Sequence, residues 1–443
     1  MPLWSQGDLS HDEELTQLHE ARSYVLARVN RMPTVDVSLD DAHSLVAAAH
    51  VTAREDVPSF ANSAMDGYAV RSEDTIGAPV DLVVVDFLPA GGSTSRQVKP
   101  GEAIRIMTGG PIPAGADAVV MVERTHTVGN VVAVEIPVSP RTSIREAGED
   151  VRVGDVILTS GTVISPTLLG VLSSIGVTQI TAYRKPRVGV LSTGNELVST
   201  SWPVGTLGAG QIRNSNGLTL RALLHEAGFK AIDLGIVNDQ EIALASAIRG
   251  AAEMCDAIIT TGGVSVGDLD FVGRVLADLG ESRSMRLAIK PAKPFAFAVV
   301  NDVPVFGLPG NPVAAVVAFE LLARPALMRM AGHRNLDRPT VYGVASEKIK
   351  RHRDGKTHYV RVVATQNETG EWLVRSSGGQ GAHHLRSMAN SNALAVVVDG
   401  DGIDMGERVE TILLNFLNPN DRPQSFEHPR EWRDTSVLDP KAS

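Results

Sequence analysis

Three strand-like segments are each followed by a glycine-rich loop, and these loops are where the sequence could do chemistry. The loops span residues 191–196 (LSTGNE), 260–268 (TTGGVSVGD) and 307–312 (GLPGNP). Glycine lets backbone N–H groups approach a ligand closely, and a helix that begins after such a loop favours anions. One loop of this kind is usually only a turn, but three at successive strand ends indicate a ligand pocket. None matches the P-loop or the dinucleotide-binding fingerprint, so neither site is predicted.

A second chemical signal is basic and lies in residues 286–294 (RLAIKPAKP). Arg286 and Lys290 would share one face of an extended strand, and a polyproline turn would put Lys290 and Lys293 on one side. Such a face could bind an anion such as phosphate. The alternative is a solvated basic edge, and spacing alone favours neither interpretation.

Carboxylates also follow the strand-like segments, at Glu196, Asp239, Asp268 and Asp270. A carboxylate ~4 Å from an anionic ligand costs about 4 kcal/mol at an effective dielectric of 20. Several carboxylates beside a phosphate-like ligand therefore indicate a divalent cation between them. Mg²⁺ is expected because it binds through one or two carboxylates and substrate phosphate oxygens. The alternative for Asp239 and Asp268 is that each caps the N-terminus of a helix.

The elements that must position these residues alternate between strand and helix periods over residues 183–331, which predicts a parallel sheet covered by helices. The predicted strands are 188–191, 232–237, 257–260 and 303–306, and the predicted helices are 218–226, 241–255, 269–279 and 313–330. Earlier in the chain, helices are expected over 15–29, from Ser38 to Ala48, and over 167–175. Residues 54–145 and 340–417 predict β structure.

Composition limits the class of protein. The 443 residues suggest roughly three domains, and the net charge of −10 disfavours general binding to nucleic acids or anionic membranes. Cys255 is the single cysteine, which excludes an internal disulfide and a multi-cysteine metal site. We expect it to be buried and inert. Because the sequence contains no secretory signal pattern at its start and no long apolar run, a cytoplasmic location is expected.

Taken together, the motifs resemble one known family. They are 62–70 (NSAMDGYAV), 106–109 (IMTG), 192–197 (STGNEL), 262–267 (GGVSVG), 290–294 (KPAKP) and 307–312 (GLPGNP). In this order they closely resemble the molybdopterin molybdenumtransferases, a family that includes bacterial MoeA and the E domain of gephyrin. The resemblance covers about residues 15–417. It implies insertion of molybdate into adenylylated molybdopterin with Mg²⁺, which releases AMP and molybdenum cofactor.

The resemblance also implies a multidomain α/β and β architecture with one domain more than the length suggests. The implied parts are a discontinuous helical/β linker domain (1–53 plus 146–182), an inserted β module (54–145), a central parallel α/β, adenylyltransferase-like (MogA-like) domain (183–331), a C-terminal β-barrel domain (332–418) and a tail (419–443). It further implies an elongated homodimer with active sites shared between subunits. Molybdopterin adenylyltransferase and molybdoenzyme acceptors are the implied partner proteins.

By motif position, the resemblance assigns the site residues. The implied catalytic residues are Asp66, Thr108, Asp150, Glu196, Asp239 and Asp270, of which Glu196, Asp239 and Asp270 are the implied metal ligands. The implied substrate-binding residues are Ser192, Thr193, Gly194, Gly262, Gly263, Ser265, Arg286, Lys290, Lys293, Pro309, Pro312 and Arg361. Ala382 stands where many members carry serine, so it is assigned no role, and Asn195 stands where aspartate is common, which argues against Asn195 as a metal ligand.

Two alternatives belong to other functional classes. A molybdopterin adenylyltransferase has the α/β fold and the TGG loop, but the Asp66 motif and the C-terminal β region argue against it. A non-catalytic scaffold, like the receptor-clustering role of gephyrin, is disfavoured because the acidic and lysine residues are intact. Molybdate and tungstate both stay open as the metal substrate.

Overall fold

The computed structural model describes residues 15–264 and 271–414, and the chain divides into two compact units. The core unit comprises Met1–Met32 and Lys185–Ser443, and the insert unit comprises Pro33–Arg184. The predicted site residues are distributed over both, so each unit is described separately. Within the described ranges, no helix is both long enough and apolar enough to cross a membrane.

The described helices include both units. They are α1 (Leu18–Leu26), α2 (Pro166–Ser174), α3 (Ser215–Glu226), α4 (Glu241–Ala252), α5 (Phe271–Leu279), α6 (Pro312–Ala318), α7 (Arg324–Met330) and α8 (Leu385–Ala389). A π-helical turn, Phe319–Ala323, joins α6 to α7. Only α2 belongs to the insert unit among these described helices.

The strands are numbered in chain order. Those of the insert unit are β1 (Thr34–Ser38), β2 (Val46–Ala47), β3 (Val51–Thr52), β4 (Asn62–Ser63), β5 (Gly67–Val70), β6 (Val80–Leu88), β7 (Glu102–Ile106), β8 (Ala118–Met121), β9 (Thr125–Val128), β10 (Val131–Val134), β11 (Ile144–Arg145), β12 (Val156–Leu158) and β13 (Gln179–Tyr183). Those of the core unit are β14 (Arg187–Thr193), β15 (Leu197–Val198), β16 (Ile212–Arg213), β17 (Lys230–Val237), β18 (Ala257–Thr261), β19 (Glu281–Arg286), β20 (Ile289–Lys290), β21 (Pro294–Val300), β22 (Val303–Leu308), β23 (Thr340–Ala345), β24 (Ile349–Lys350), β25 (Thr357–Gln366), β26 (Trp372–Ser376), β27 (Ala393–Val397), β28 (Gly402–Ile403) and β29 (Arg408–Leu413).

The central sheet of the core unit has the strand order β17-β14-β18-β22-β21-β19. The first four strands are parallel, whereas β21 and β19 are antiparallel additions at one edge. Successive residues of β18 alternate between two apolar clusters: Ala257 and Ile259 belong to one cluster, and Ile258 belongs to the other. Helices therefore cover both faces, and the prediction of a parallel sheet covered by helices is confirmed.

Helix α1 packs with the core unit through Ala21 and Val25, which are fully buried in the same apolar cluster as Leu327 of α7. The implied linker domain includes this helix, whereas the compact insert unit begins only at Pro33. The implied domain boundaries stay predictions.

The insert unit is mainly β structure, with a six-stranded sheet of order β8-β5-β7-β6-β10-β9 and a three-stranded sheet of order β1-β13-β2. The predicted helix at 167–175 is present as α2. The helix predicted from Ser38 to Ala48 is wrong, because only a 3₁₀ turn forms at Leu39–Asp41. The Ser38 hydroxyl does accept a hydrogen bond from the Asp41 N–H, but the chain then pairs β2 with β13. Sheet pairing thus overrides a genuine capping signal.

The C-terminal part of the core unit is a closed barrel of five strands, in the order β25-β26-β23-β29-β27, which closes because β27 also pairs with β25. This confirms the β-barrel part of the expected fold. The short strand β20 adds to the barrel beside β25.

The single extended strand expected for Arg286 and Lys290 is wrong. Arg286 is the last residue of β19 and pairs with Pro294 in the α/β sheet, whereas Lys290 pairs with His358 in the barrel. The Leu287 N–H donates to the Lys293 carbonyl at 2.7 Å, which closes a loop between the antiparallel strands β19 and β21. The basic segment is therefore a loop that connects two sheets.

Candidate active site

The loops after β14 and β17 are tied together at the carboxyl edge of the central sheet. The Thr193 hydroxyl donates to Asp239 Oδ1 at 2.6 Å, and the Asn195 N–H approaches Asp239 Oδ2 at 3.4 Å. In return, the Asp239 N–H donates to Asn195 Oδ1 at 3.2 Å. Asp239 therefore orders the loop between Thr193 and Glu196, which is the first of the three glycine-rich loops.

The second loop packs so closely on the first that it requires glycine. Gly262 has a φ of +96°, and a Cβ there would lie 2.1 Å from the Thr193 carbonyl oxygen. Gly263 has a φ of +65°, and its Cβ would meet Val272 at 2.8 Å. A Cβ on Gly310, in the third loop, would lie 3.4 Å from the Gly262 Cα. The three loops therefore converge, as the sequence predicts for adjacent parallel strands.

Two asparagines that sequence reasoning missed brace these loops. Asn216 Nδ2 donates to the Thr261 hydroxyl at 2.9 Å and to the Gly310 carbonyl at 2.8 Å. Asn214 caps α3 by accepting from the Gly217 N–H, and it also accepts from the Ser192 hydroxyl at 3.0 Å. A polar residue of N-cap type before a helical segment was the available signal.

Several predicted ligand-binding side chains are used inside the protein. Ser192 and Thr193 are buried, and their hydroxyls donate hydrogen bonds to the side chains of Asn214 and Asp239, respectively. The Pro309 carbonyl accepts from the Thr261 hydroxyl at 3.1 Å, and Pro312 begins α6. In the described structure Ser192, Thr193 and Pro309 form hydrogen bonds within the protein, and Pro312 lies in the first turn of a helix.

The remaining acidic side chain of this edge is exposed. Glu196 lies beside Gly194, where an added Cβ would be only 2.7 Å from Glu196 Oε2. Asp268, Asp270 and Ser265 lie outside the described residues. Among the residues described, no group of three or more His, Cys, Asp or Glu side chains could hold a metal ion. Glu196 and Asp239 offer oxygen ligands of the kind that Mg²⁺ prefers, and two protein carboxylates suffice when substrate oxygens complete the shell.

The basic segment protrudes from the same sheet edge. In the register of β21 with β22, Ala296 pairs with Gly307, so Pro294 lies beyond it, level with the loop that follows Leu308. Arg286 pairs with Pro294 and is half-buried, as is Lys293. Lys290 is exposed, and its Nζ is 4.0 Å from Asp354 Oδ2. The structure thus brings the predicted lysine segment to the edge that carries the glycine-rich loops.

Arg361 lies in the barrel with its guanidinium turned inward. It is 1% exposed and donates to the carbonyls of Gly379 and Gly381 at 2.7 and 3.1 Å and to the Ser387 hydroxyl at 3.2 Å. Burial lowers the pKa of Arg361 to about 10, so the group is charged at neutral pH. In the described structure Arg361 positions a loop, and its predicted contact with substrate stays a prediction.

That loop reaches the α/β domain through its backbone. The Ala382 carbonyl accepts a hydrogen bond from the N–H of Val313, in the first turn of α6, at 3.1 Å. Gln380 fixes the same loop, because its side chain bonds both the N–H and the carbonyl of Arg361. Because this contact uses the backbone carbonyl of Ala382, it does not depend on the side-chain hydroxyl that a serine would supply there.

In the insert unit, Asp66 and Thr108 are joined by two hydrogen bonds. Asp66 Oδ1 accepts from the Thr108 N–H at 2.7 Å and from the Thr108 hydroxyl at 2.8 Å. These hydrogen bonds, the backbone one foremost, hold the pKa of Asp66 below its usual range, so the exposed carboxylate is ionised. Asp150 is exposed, and within the described residues it shares no hydrogen bond or ion pair with Asp66 or Thr108.

Cys255 has the surroundings of a structural residue. It is 4% exposed and packs in the apolar cluster of α4 and α5, and burial raises the pKa of its thiol. A thiol that stays protonated is a poor nucleophile. We expect Cys255→Ala to keep the activity of the protein within a few-fold of the wild type, measured as product formed per folded protein. Complete loss of activity in a variant with an unchanged circular dichroism spectrum would contradict the inert role.

Family profiles match most of the chain. A profile described as MoeA N-terminal region (domain I and II) matches residues 16–176. A probable molybdopterin binding domain matches residues 189–329, and the MoeA C-terminal region (domain IV) matches residues 343–414. The three matches follow one another in chain order and include the insert unit, the α/β domain and the barrel.

Individual proteins match over nearly their whole length. The molybdopterin molybdenumtransferase of Haemophilus influenzae is 37% identical over 405 residues, which cover 90% of this chain and 99% of the relative. The Bacillus subtilis protein of the same name is 34% identical over 403 residues, which cover 88% and 92%. The crystal structure of the molybdopterin biosynthesis MoeA protein from Pyrococcus horikoshii OT3 has a TM-score of 0.76 and 29% identity, and the match covers 90% of this chain and 100% of that one.

Proposed function

This chain belongs to the molybdopterin molybdenumtransferase family, and on that premise we propose that it inserts molybdate into adenylylated molybdopterin. The chain is a transferase of molybdenum cofactor biosynthesis, as its relatives are. The finer proposal is that the reaction requires Mg²⁺ and releases AMP together with the molybdenum cofactor. We place the enzyme in the cytoplasm, with molybdopterin adenylyltransferase and molybdoenzyme acceptors as its partners.

One observation supports this proposal above the others: three glycine-rich loops, two carboxylates and a lysine segment converge on one edge of the central sheet. Glycine-rich loops leave backbone N–H groups accessible to phosphate oxygens, and Lys290 adds an exposed positive charge. Glu196 and Asp239 supply the negative groups that a metal-assisted reaction on a phosphoanhydride needs. An edge without carboxylates would suit phosphate binding but not metal-dependent cleavage.

The proposed roles of the acidic residues follow from their surroundings. Glu196 and Asp239, together with Asp270, would hold Mg²⁺, which would supply the positive charge that neutralises the phosphates. Thr193 and Asn195 orient Asp239 through the hydrogen bonds described above. Asp66, ionised and oriented by Thr108, acts on the reacting group from the insert unit.

We further propose that the enzyme is a homodimer in which the insert unit of one subunit completes the site of the other. The support is the family resemblance, which implies a homodimer with active sites shared between subunits. A two-fold interface would create two identical composite sites.

The reaction itself is tested with purified protein, adenylylated molybdopterin, Mg²⁺ and molybdate. We expect AMP release that depends on both the metal and the molybdate. A protein that instead forms adenylylated molybdopterin from ATP and molybdopterin, without releasing AMP from it, would be an adenylyltransferase. A protein that binds molybdopterin and catalyses neither reaction would be a scaffold.

The lysine of the pocket provides a test of substrate binding. Lys290→Ala should weaken binding of molybdopterin roughly 10- to 150-fold, because a charge-assisted hydrogen bond contributes ~1.5–3 kcal/mol. The matched control is Lys348→Ala, since Lys348 is also exposed in the core unit but pairs with Asp404. The affinities are measured by fluorescence titration with molybdopterin. An unchanged affinity in Lys290→Ala would favour the alternative interpretation, in which the segment is a solvated basic edge that does not bind substrate.

A further inference from the structure

The strand that carries Lys290 is supported by the barrel. In β20, Ile289 pairs with Thr357, and Lys290 pairs with His358. The Thr357 N–H donates to the Ala288 carbonyl at 2.9 Å, which extends this pairing by one residue. The position of Lys290 is therefore set by the start of β25 and by the loop before it.

That loop contains Asp354, whose carboxylate is surrounded by cations. Arg351 donates to Asp354 Oδ1 at 3.0 Å, and the Lys356 ammonium lies 3.4 Å from Oδ2. His358 Nε2 lies 3.0 and 3.1 Å from the two carboxylate oxygens. Burial lowers the pKa of His358, so the ring is neutral at pH 7 and donates a hydrogen bond without adding charge.

Asp354 is fixed independently of Lys290. The Arg351 side chain is fully buried and also donates to the carbonyls of Lys356, Val397 and Val398. With its ion pairs to Arg351 and Lys356, the carboxylate stays satisfied when another cation leaves it. The loop therefore presents to Lys290 a carboxylate that Arg351 and Lys356 already hold in place.

Lys290 has the weakest hold on this carboxylate. Its Nζ is 4.0 Å from Asp354 Oδ2, longer than each of the other cation contacts, and its side chain is 59% exposed. Lys290 is thus close enough to be neutralised by Asp354 but loose enough to leave it. An oxyanion that approaches the sheet edge would compete with this carboxylate for the same ammonium.

We propose that Asp354 is the resident counter-ion of Lys290, which the lysine exchanges for an oxyanion of the substrate when the site fills. The proposal rests on the proposed function only in the identity of that oxyanion, which is either molybdate or a phosphate. Asp354 is a positioning residue, because it acts through Lys290 and does not contact the substrate.

The pair is tested by the chemical reactivity of the Lys290 amine. Brief treatment with acetic anhydride, followed by mass spectrometry, gives the acetylation rate of each lysine. Asp354→Asn should raise the rate at Lys290 about two- to five-fold, because it removes an ion pair of up to about 1 kcal/mol that holds the exposed Lys290 ammonium. Lys230, which is exposed on β17, serves as the internal reference.

Two further variants distinguish an effect of Asp354 on Lys290 from a general change in the structure. Lys356→Gln removes a competing cation from Asp354 and should slow acetylation of Lys290, opposite in sign to Asp354→Asn. Asp401→Asn is the matched control, since Asp401 is exposed and pairs with Arg353 rather than with Lys290. Unchanged Lys290 rates in both Asp354→Asn and Lys356→Gln would overturn the proposal, as would equal acceleration by Asp401→Asn.

Added anions test the exchange. Sodium molybdate or inorganic phosphate should protect Lys290 from acetylation, and the half-protecting concentration should fall about two- to five-fold in Asp354→Asn. Protection by only one of the anions identifies it as the source of the oxyanion. If neither anion protects Lys290, the exchange is overturned. Absence of AMP release by the wild type would contradict the proposed function without changing these rates, so the two failures are distinguishable.

Discussion

Heterodimers of one Asp66→Ala subunit and one Glu196→Ala subunit should recover about half of the wild-type activity, whereas each variant homodimer is nearly inactive. Asp66 lies in the insert unit and Glu196 in the core unit. If each site takes its insert unit from the opposite subunit, one site of the heterodimer carries both lesions and the other carries neither. The heterodimer is purified after co-expression with two different affinity tags, and AMP release per dimer is measured.

A second combination serves as the control. Asp66 and Thr108 belong to the same insert-unit site, so a heterodimer of Asp66→Ala and Thr108→Ala subunits carries one lesion in each composite site. It should stay as inactive as its parents. If the Asp66→Ala and Glu196→Ala heterodimer is also inactive, each site lies within a single chain and the shared-site proposal is wrong.

The largest stability loss is expected from Glu320→Gln. The Glu320 side chain is 2% exposed, and both of its oxygens accept from Arg338 at 3.0 Å. Burial lowers the pKa of the neighbouring Arg324, which also lies 3.9 Å from Glu320. Removing one partner of a buried ion pair typically costs about 3–5 kcal/mol, because the remaining charge stays buried. For a unit of nearly 300 residues, which unfolds with an entropy of about 2.1 cal/mol/K per residue, that corresponds to a fall in the thermal midpoint of roughly 5–8 °C.

Glu226→Gln is the matched control for this loss. Glu226 pairs with the same Arg338 at 3.1 Å, but its side chain is 43% exposed. Solvent screening limits such a pair to about 1 kcal/mol or less. Differential scanning calorimetry of both variants makes the comparison. Equal midpoints would mean that burial of Glu320 contributes nothing, and the argument from desolvation would be wrong.

Strongly periodic elements could be predicted from the sequence, and elements decided by long-range pairing could not. The strands around Val188 and Ile258 were evident because a strand covered on both faces must be apolar throughout. The turn after Ser38 was misjudged as a helix, because a cap signal is local and the pairing of β2 with β13 is not. Likewise, no local pattern near Lys290 reveals that β20 leaves one sheet for another.

The candidate site also contains residues that could be predicted from the sequence and residues that could not. Its glycine-rich loops and carboxylates could be located by residue type alone, since strand ends of a parallel sheet share one edge. The supporting residues were harder to find: Asn216 joins Thr261 to Gly310, and Asp354 faces Lys290, across long sequence separations. Contacts of this kind between distant residues form only in the folded chain, and a single sequence contains no periodic signal that predicts them.

The two residues of β20 also bear on how this protein can be divided. A chain that ends after α7 would keep every strand of the central sheet. It would lose β25, however, which pairs with β20, the strand that contains Lys290. It would also remove the carbonyl of Ala382 that meets α6. The barrel therefore supports both the strand of Lys290 and the start of α6, and chimaeras between relatives should exchange the barrel and the α/β domain together.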